Sequence, residues 1–345
     1  MTKTGTHEPH PPLPWPRRPF SAVVAGTGCQ VPERILTNAD LEKMVDTSDQ
    51  WITERTGMKE RHISAPGEAA SDIAVKACEK ALAEAKVKPE DLDLIVVGTV
   101  TGDMPFPSTA CVLQQRLGAP HATAFDVSAG CTGFIYALSV ARQFVVTGAS
   151  RTALVVGVEM LSKITDWTDR STCVLFGDGA GAAVLKADSE PDTGILATYL
   201  AADGAGGEHL YMPAGGSRQP ATVETVQQRL HTCKMNGNAI FKVAVRSMAD
   251  AFTHLLRQTG LGPDDVKLMI PHQANLRIIE ATAKLLKFPR ERVFINIAKY
   301  GNTSSATTII ALDEARKAGL VRPGDVVMLV AFGAGLTWGG VAIRF

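Results

Sequence analysis

The sequence predicts an α/β fold made of two halves related by a pseudo-twofold axis, and three observations lead there. The chain has 345 residues, 45% apolar and 20% charged, which exceeds the ~250–300 residues at which a single core stops growing. It contains an internal repeat: Val87-Lys-Pro-Glu-Asp-Leu-Asp-Leu-Ile-Val-Val97 matches Leu261-Gly-Pro-Asp-Asp-Val-Lys-Leu-Met-Ile-Pro271 as helix end, Pro-acidic-acidic turn and apolar strand. The match continues downstream. Gly130-Cys131-Thr132 corresponds to Gly301-Asn302-Thr303, each opening a helix after an apolar strand, and Thr152-Ala-Leu-Val-Val-Gly157 corresponds to Asp325-Val-Val-Met-Leu-Val-Ala331 as the next buried strand.

Taken in order, residues 1–20 hold Pro9, Pro11, Pro12, Pro14, Pro16 and Pro19 and form an extension outside the fold, since proline neither pairs in a sheet nor continues a helix. The first half then spans 21–190 and the second 191–345. Ser21–Gly28 reads as a strand into a glycine turn. Gly26-x-Gly28 is not a dinucleotide fingerprint, because no third glycine follows and no helix opens directly after it. Asn38 caps a helix to about Val45. Ser71 caps another, with Ile73, Ala74, Ala77, Ala81, Leu82 and Ala85 on one stripe. Residues 122–128 form a strand, Ser128-Ala-Gly130 a tight turn and 131–147 an apolar helix ended by Gly148. In the second half Val293–Ala298 forms a strand before a helix over 303–318.

Lys and Arg equal Asp and Glu at 35 each, so the overall charge gives no reason to expect nucleic acid. Six cysteines, at 29, 78, 111, 131, 173 and 233, show no Cys-x-x-Cys pair and no Cys/His cluster. That argues against a metal site and a disulfide framework and fits a reducing cytosol. No apolar run reaches the roughly 18 residues of a membrane span, and the N-terminus lacks a signal peptide's apolar segment, so a cytoplasmic protein is expected.

Chemistry points to three turns. Cys131 stands at a helix N-terminus, where unpaired N–H groups and the helix dipole favour a thiolate; the same position also suits a small buried cysteine. His272 follows the strand Leu268–Pro271 at its C-terminal end, the usual position for chemistry in open α/β sheets. The repeat sets Asn302 opposite Cys131. Together these give the Cys/His/amide set of nucleophilic acyl transfer. Charge is also uneven: residues 242–299 hold ten Lys/Arg against five Asp/Glu, with Lys242 and Arg246 four apart and Arg277 and Lys284 seven apart, each pair able to present a basic ridge.

Five motifs in order, Asp126-Val-x-x-x-Cys-x-Gly-Phe134, Phe176-Gly-Asp-Gly-Ala-Gly181, Pro271-His-Gln-Ala-Asn275, Gly301-Asn-Thr-Ser304 and Ala331-Phe-Gly-x-Gly-x-Thr-Trp-Gly339, resemble the β-ketoacyl-[acyl carrier protein] synthase III family from about residue 21 to Phe345. The resemblance implies a thiolase-like five-layer αβαβα fold, a homodimer, no cofactor beyond a CoA thioester as substrate, and decarboxylating condensation of an acyl-CoA with malonyl-[acyl carrier protein] to start fatty-acid synthesis. It implies that Cys131 takes the acyl group and that His272 and Asn302 bond the malonyl thioester carbonyl. The backbone N–H groups of Cys131 and Ala334 would serve the acyl step, with Phe332 positioning that loop. Trp51 and Arg170 would sandwich the CoA adenine, Arg55 would lie near its phosphates, Asn238 and Asn275 would line the pantetheine tunnel, and Phe106 would cross the dimer interface to close the neighbour's acyl pocket. Lys242, Arg246, Arg277 and Lys284 would dock the acidic carrier protein.

Rival families fail on particular residues. A thiolase needs a second cysteine where Gly333-Ala-Gly335 stands, and a hydroxymethylglutaryl-CoA synthase needs a glutamate just after Leu94–Gly98, where Thr99-Val-Thr101 stands. A related starter-loading or acyltransferase enzyme of secondary metabolism is the alternative. A non-enzymatic acyl-CoA scaffold has no use for Cys131, His272 and Asn302 together.

Overall fold

The computed structural model describes residues 20–345; the proline-rich extension expected over 1–20 lies, apart from Phe20, outside them. The first half supplies a five-stranded sheet from β1 (Ser21–Gln30), β2 (Leu94–Gly98), β3 (Thr123–Val127), β4 (Thr152–Met160) and β5 (Asp178–Asp188), in the order β1-β5-β4-β2-β3. The second supplies a four-stranded sheet from β6 (Gly194–Ala202), β7 (Val266–Pro271), β8 (Val326–Gly333) and β9 (Thr337–Arg344), in the order β7-β8-β9-β6. Strand β2 runs parallel to β3 and β4, as β7 does to β8, and the later strands of each half pair antiparallel.

Seven helices position the site: α1 (Asp49–Thr56), α2 (Ala70–Ala85), α3 (Thr109–Leu117), α4 (Gly133–Val146), α5 (Gly237–Thr259), α6 (Leu276–Leu286) and α7 (Thr307–Lys317). Strand periodicity decides where they go, because successive side chains leave opposite faces. In β2, Ile95 and Val97 pack with Ile73, Ala77 and Leu113 of α2 and α3, whereas Leu94 and Val96 pack with Phe134, Leu138, Ile309 and Leu312 of α4 and α7. Those central helices also meet Leu329 and Ala331 of the second sheet, whose other face, with Met328 and Val330, is covered by Phe252 of α5 and Ile279 of α6. The result is five layers, helix, sheet, helix, sheet, helix, with both sheets buried on both faces, as parallel strands of apolar residues require.

The repeat is realised except for the strand expected before Gly301-Asn302-Thr303. Helix, single 3₁₀ turn and strand recur at 70–98 and 237–271, and a 3₁₀ turn precedes both α4 and α7 at Gly130–Thr132 and Ser304–Ala306. Gly148 adopts φ +79 just past α4, the left-handed conformation of a helix stop.

Four local expectations are corrected. Gly26 and Gly28 do not form a turn but lie within β1, where a Cβ would sit 2.5 Å from the Ala81 carbonyl oxygen and 2.4 Å from that of Ala77; the glycines let α2 lie against the strand. The cap after β1 is Thr37, not Asn38, and its helix ends at Leu41, with Asn38 drawn instead to Asp49 and the Met58 carbonyl. Helix α2 begins at Ala70, because the Asp72 carboxylate accepts the Ala69 N–H while Ser71 donates to Asp103. The strand expected over 293–298 shrinks to a single bridge between Val293 and Met269. There the buried Gln273 side chain replaces a backbone ladder, accepting the Asn296 N–H at 3.1 Å and donating to the Phe294 carbonyl at 3.3 Å, and a helical turn follows from Ile297.

Candidate active site

Cys131 and His272 sit where a strand gives way to a turn beside the central layer, and Asn302 sits between the helical turn Ile297–Tyr300 and α7. Cys131 occupies the turn between β3 and α4. Gly130 there has φ +52, and a Cβ on it would lie 2.8 Å from the Ala334 nitrogen; a Cβ on Gly333 would lie 2.5 Å from the Cys131 nitrogen. Only glycine fits both places, and their absence of side chains puts the N–H groups of Cys131 and Ala334 next to each other. Thr337 fastens this junction, its hydroxyl 2.7 Å from that of Thr132 and bonded to the carbonyls of Ala129 and Ala334.

His272 ends β7, its N–H donated to the Val330 carbonyl at 2.8 Å, with the ring buried and Nδ1 2.6 Å from the Thr307 hydroxyl. Asn302 is held on both sides: its N–H donates to the Leu175 carbonyl and its carbonyl accepts from Gly177. Asn302 Oδ1 accepts the Ser304 N–H at 2.8 Å, which fixes the amide orientation and leaves Nδ2 as the donor toward the cavity. Ser304 takes a left-handed φ of +49, an unusual conformation for a side-chain residue, held by this bond and by its hydroxyl's 3.2 Å donation to Glu159.

Cys131, His272, Asn302 and Phe332 line one cavity of about 120 Å³, together with apolar Ile240, Phe241 and Met248. A second cavity, about 330 Å³, shares Cys131 and runs past Ala334, Gly335, Leu161, Ile164, Met212 and Cys233. Cys131 is thus the meeting point of two mainly apolar spaces. A comparable groove of about 370 Å³ at Ser21, Arg142 and Arg344 touches none of the three residues.

Electrostatics separate the roles. Burial holds His272 down at about 3, so the imidazole is neutral across the physiological range and donates without carrying charge. The helix N-terminus does not make Cys131 a resting thiolate, contrary to the expectation from its position. Burial pushes the thiol up to about 12; a bond with Ser304 opposes this, and the charge of Glu159 adds to it. With a neutral histidine in the same cavity, no cation offsets the lost hydration, and the thiol holds its proton at neutral pH.

Glu159 was not anticipated, although a carboxylate inside the apolar strand Thr152–Met160 is a visible anomaly. It is fully buried and accepts bonds from the Thr101 hydroxyl, the Val100 N–H and the Ser304 hydroxyl. Burial, only partly opposed by these donors, raises it from 4.5 to about 7. A carboxyl raised by folding binds its proton more tightly in the native state, so its contribution to stability is largest below about pH 4.5 and is lost as pH rises to about 7, roughly 3 kcal/mol in all at about 1.4 kcal/mol per unit. Glu159→Gln is therefore expected to gain stability over the native protein on going from pH 5 to pH 8 in urea unfolding; a difference independent of pH would contradict this origin.

The remaining residues divide. The Arg170 guanidinium lies 5.2 Å over the Trp51 ring and also donates to the Asp46 carbonyl. A flat base between them needs two contacts of about 3.5 Å each, so Arg170 must swing outward to admit one. Arg55 is exposed, and its carbonyl accepts from Asn275 Nδ2 at 3.0 Å. Asn275 lines the first cavity but also caps α6 through the Arg277 N–H. Asn238 is exposed, its neighbour Gly237 being the one at the cavity wall. Phe106 is 85% exposed and reaches neither of the two cavities of its own chain. Lys242, Arg246 and Lys284 rim a groove floored by Phe241, Val245 and Leu285; Arg277 stacks 5.7 Å over Phe241, the residue this groove shares with the first cavity.

Known proteins resemble this chain in sequence and fold. The family described as 3-Oxoacyl-[acyl-carrier-protein (ACP)] synthase III matches residues 125–204, and its C-terminal counterpart matches residues 256–345. A beta-ketoacyl-[acyl-carrier-protein] synthase III of Caldanaerobacter subterraneus subsp. tengcongensis is 58% identical over 326 residues, 94% of this chain and 98% of the relative. Among solved structures, the 3-oxoacyl-[acyl-carrier-protein] synthase III of Aquifex aeolicus VF5 superposes with a TM-score of 0.87 at 49% identity, covering 94% of this chain and all of that one. The priming beta-ketosynthase of the R1128 polyketide pathway superposes with a TM-score of 0.88 at 36% identity, covering 96% and 98%. With the Cys, His and Asn turns at one junction and relatives of this identity along nearly the whole length, the chain belongs to the β-ketoacyl-[acyl carrier protein] synthase III family, whose fold is the thiolase fold.

Proposed function

We propose that Cys131 is the acyl-carrying nucleophile of this condensing enzyme and that His272 and Asn302 are the donors of its decarboxylation step. The enzyme is an acyltransferase performing the decarboxylating condensation that initiates fatty-acid synthesis. In the first half-reaction the Cys131 sulfur attacks the carbonyl of an acyl-CoA, the N–H groups of Cys131 and Ala334 hold the oxyanion, and CoA leaves with the thiol proton. In the second, malonyl carrier protein loses CO2, its thioester oxygen gaining charge against His272 and Asn302; the enolate carbon attacks the Cys131 thioester, forming the carbon–carbon bond and freeing the cysteine. The observation that carries this reading is the neutral pair, His272 and the oriented Asn302 amide, beside Cys131 at the junction of two apolar cavities. Neutral donors stabilise a developing enolate, where a carboxylate would repel it.

The narrower space by His272 suits a pantetheine arm, with the Trp51 and Arg170 pair receiving the adenine, Arg55 its phosphates and Asn238 and Asn275 the mouth and wall of the tunnel. The wider space suits the acyl chain. Exposed Phe106 lines neither of the two cavities of its own chain, which fits a homodimer in which it closes the partner's cavity. Six free thiols fit a reducing, cytoplasmic setting; among the described residues no helix is long and apolar enough to cross a membrane. The 58% identity along 94% of the chain to a relative named beta-ketoacyl-[acyl-carrier-protein] synthase III, against 36% to the priming ketosynthase of a polyketide pathway, favours the primary pathway over a secondary-metabolic starter enzyme.

Turnover of acetyl-CoA and malonyl carrier protein to the 3-oxoacyl product tests the activity. The basic rim is tested separately: Arg277→Glu is expected to raise the KM for malonyl carrier protein about tenfold, with little change for the CoA primer, because a reversed rim charge weakens encounter with an acidic partner. Equal effects on both substrates would place Arg277 in the shared tunnel.

A further inference from the structure

Thr307 opens α7 with its side chain against His272. Its Oγ1 lies 2.6 Å from His272 Nδ1 and 3.0 Å from the Ser304 carbonyl oxygen, and His272 and Thr307 are only 2% and 3% exposed. A hydroxyl has a single proton to give, and the two neighbours imply opposite imidazoles. If the proton goes to the Ser304 carbonyl, Nδ1 must itself carry a hydrogen to bond the hydroxyl oxygen, and a neutral ring then leaves Nε2 bare. If it goes to Nδ1, Nε2 carries the hydrogen. The Ser304 carbonyl already accepts the backbone N–H of Thr307, the bond that closes the 3₁₀ turn before α7. Nδ1 has no second partner among the described hydrogen bonds. The hydroxyl proton therefore does more on the histidine.

We propose that Thr307 is a positioning residue: its hydroxyl donates to His272 Nδ1 and holds the ring in the tautomer that carries hydrogen on Nε2. That tautomer gives the malonyl thioester oxygen a donor, whereas the other would set a lone pair against the forming enolate. The inference rests on the donor role given to His272 above and assigns the group that makes the role possible. Residues of this kind act through the one they orient, as carboxylates do for catalytic or metal-binding histidines.

Two variants of the full chain test it. Thr307→Val keeps the branched shape and removes the donor; Thr307→Ser keeps the donor. Nitrogen-15 shifts of the His272 ring at neutral pH are expected to show hydrogen on Nε2 in the native protein and in Thr307→Ser, and to lose that single form in Thr307→Val. CO2 release from malonyl carrier protein should fall about 10- to 100-fold in Thr307→Val, at nearly unchanged KM, and recover in Thr307→Ser. A native ring with hydrogen on Nδ1 overturns the hydrogen-bond assignment even if no variant folds. A changed tautomer in Thr307→Val with undiminished CO2 release overturns the donor role of His272 itself, which separates the two failures.

Discussion

Cys131→Ala is expected to take up no acetyl mass from acetyl-CoA and to make no condensation product. Alanine keeps the turn, the Gly130 and Gly333 contacts and both backbone N–H groups, and removes only the sulfur. The nearest rival is Cys233, which lines the same wide cavity. Burial pushes its thiol up to about 11, close to Cys131 at about 12, so protonation does not separate them; only Cys131 also lines the cavity that holds His272 and Asn302. Intact-mass spectrometry reads the outcome directly. An acetyl adduct persisting on the variant, at Cys233 or elsewhere, would remove Cys131 from the nucleophile's role.

Asn302→Asp is expected to acquire the acetyl group normally and to release almost no CO2 from malonyl carrier protein. The substitution is structurally mild, since one carboxylate oxygen can accept the Ser304 N–H as Oδ1 does at 2.8 Å. The other then replaces Nδ2 and faces the enolate oxygen. Losing one donor to such an oxyanion costs about 10²–10³ in rate, and a buried like charge, at 6% residue exposure, should cost more. In the proposed function acylation relies on the Cys131 and Ala334 N–H groups, so it should be spared. Asn302→Ala, which removes the donor without adding charge, should lie between the two.

Much of the architecture could be read from the chain because its signals are local and repeated. The Pro-acidic-acidic turns at 89–91 and 263–265 and the Gly-x-Thr turns before α4 and α7 are short sequence devices that fix where helices stop and start, and they located the three chemical residues. The failures share a cause. Gly26 and Gly28 look like a turn because a helix lying 2.4–2.5 Å from where their Cβ atoms would be is invisible in a strand's own sequence. The apolar run at 293–298 looks like a strand, but an amide from Gln273, twenty residues upstream, takes its hydrogen bonds. In both, a tertiary contact overrides a local pattern.

The site divides in the same way. Cys131, His272 and Asn302 could be named as candidates from the chain, and the structure brings them to one cavity, as the repeat implies. Protonation was not. A helix N-terminus favours a thiolate, but enclosure by apolar walls outweighs it at Cys131 and neutralises His272 as well, and burial is a property of the folded whole. Glu159 and Thr307 escaped notice because a lone carboxylate or hydroxyl acquires meaning only from the Ser304 and His272 side chains that tertiary packing brings against them.

The proposed function divides labour between backbone donors that serve acylation and neutral side-chain donors that serve decarboxylation, both meeting at Cys131. The most direct test measures acetylation and CO2 release in one assay series on Cys131→Ala and Asn302→Asp. Reciprocal losses are expected: Cys131→Ala without acetylation but still decarboxylating malonyl carrier protein, and Asn302→Asp acetylated but without CO2 release. Loss of both half-reactions in both variants, or an Asn302→Asp enzyme that decarboxylates but does not acetylate, would contradict this division of labour.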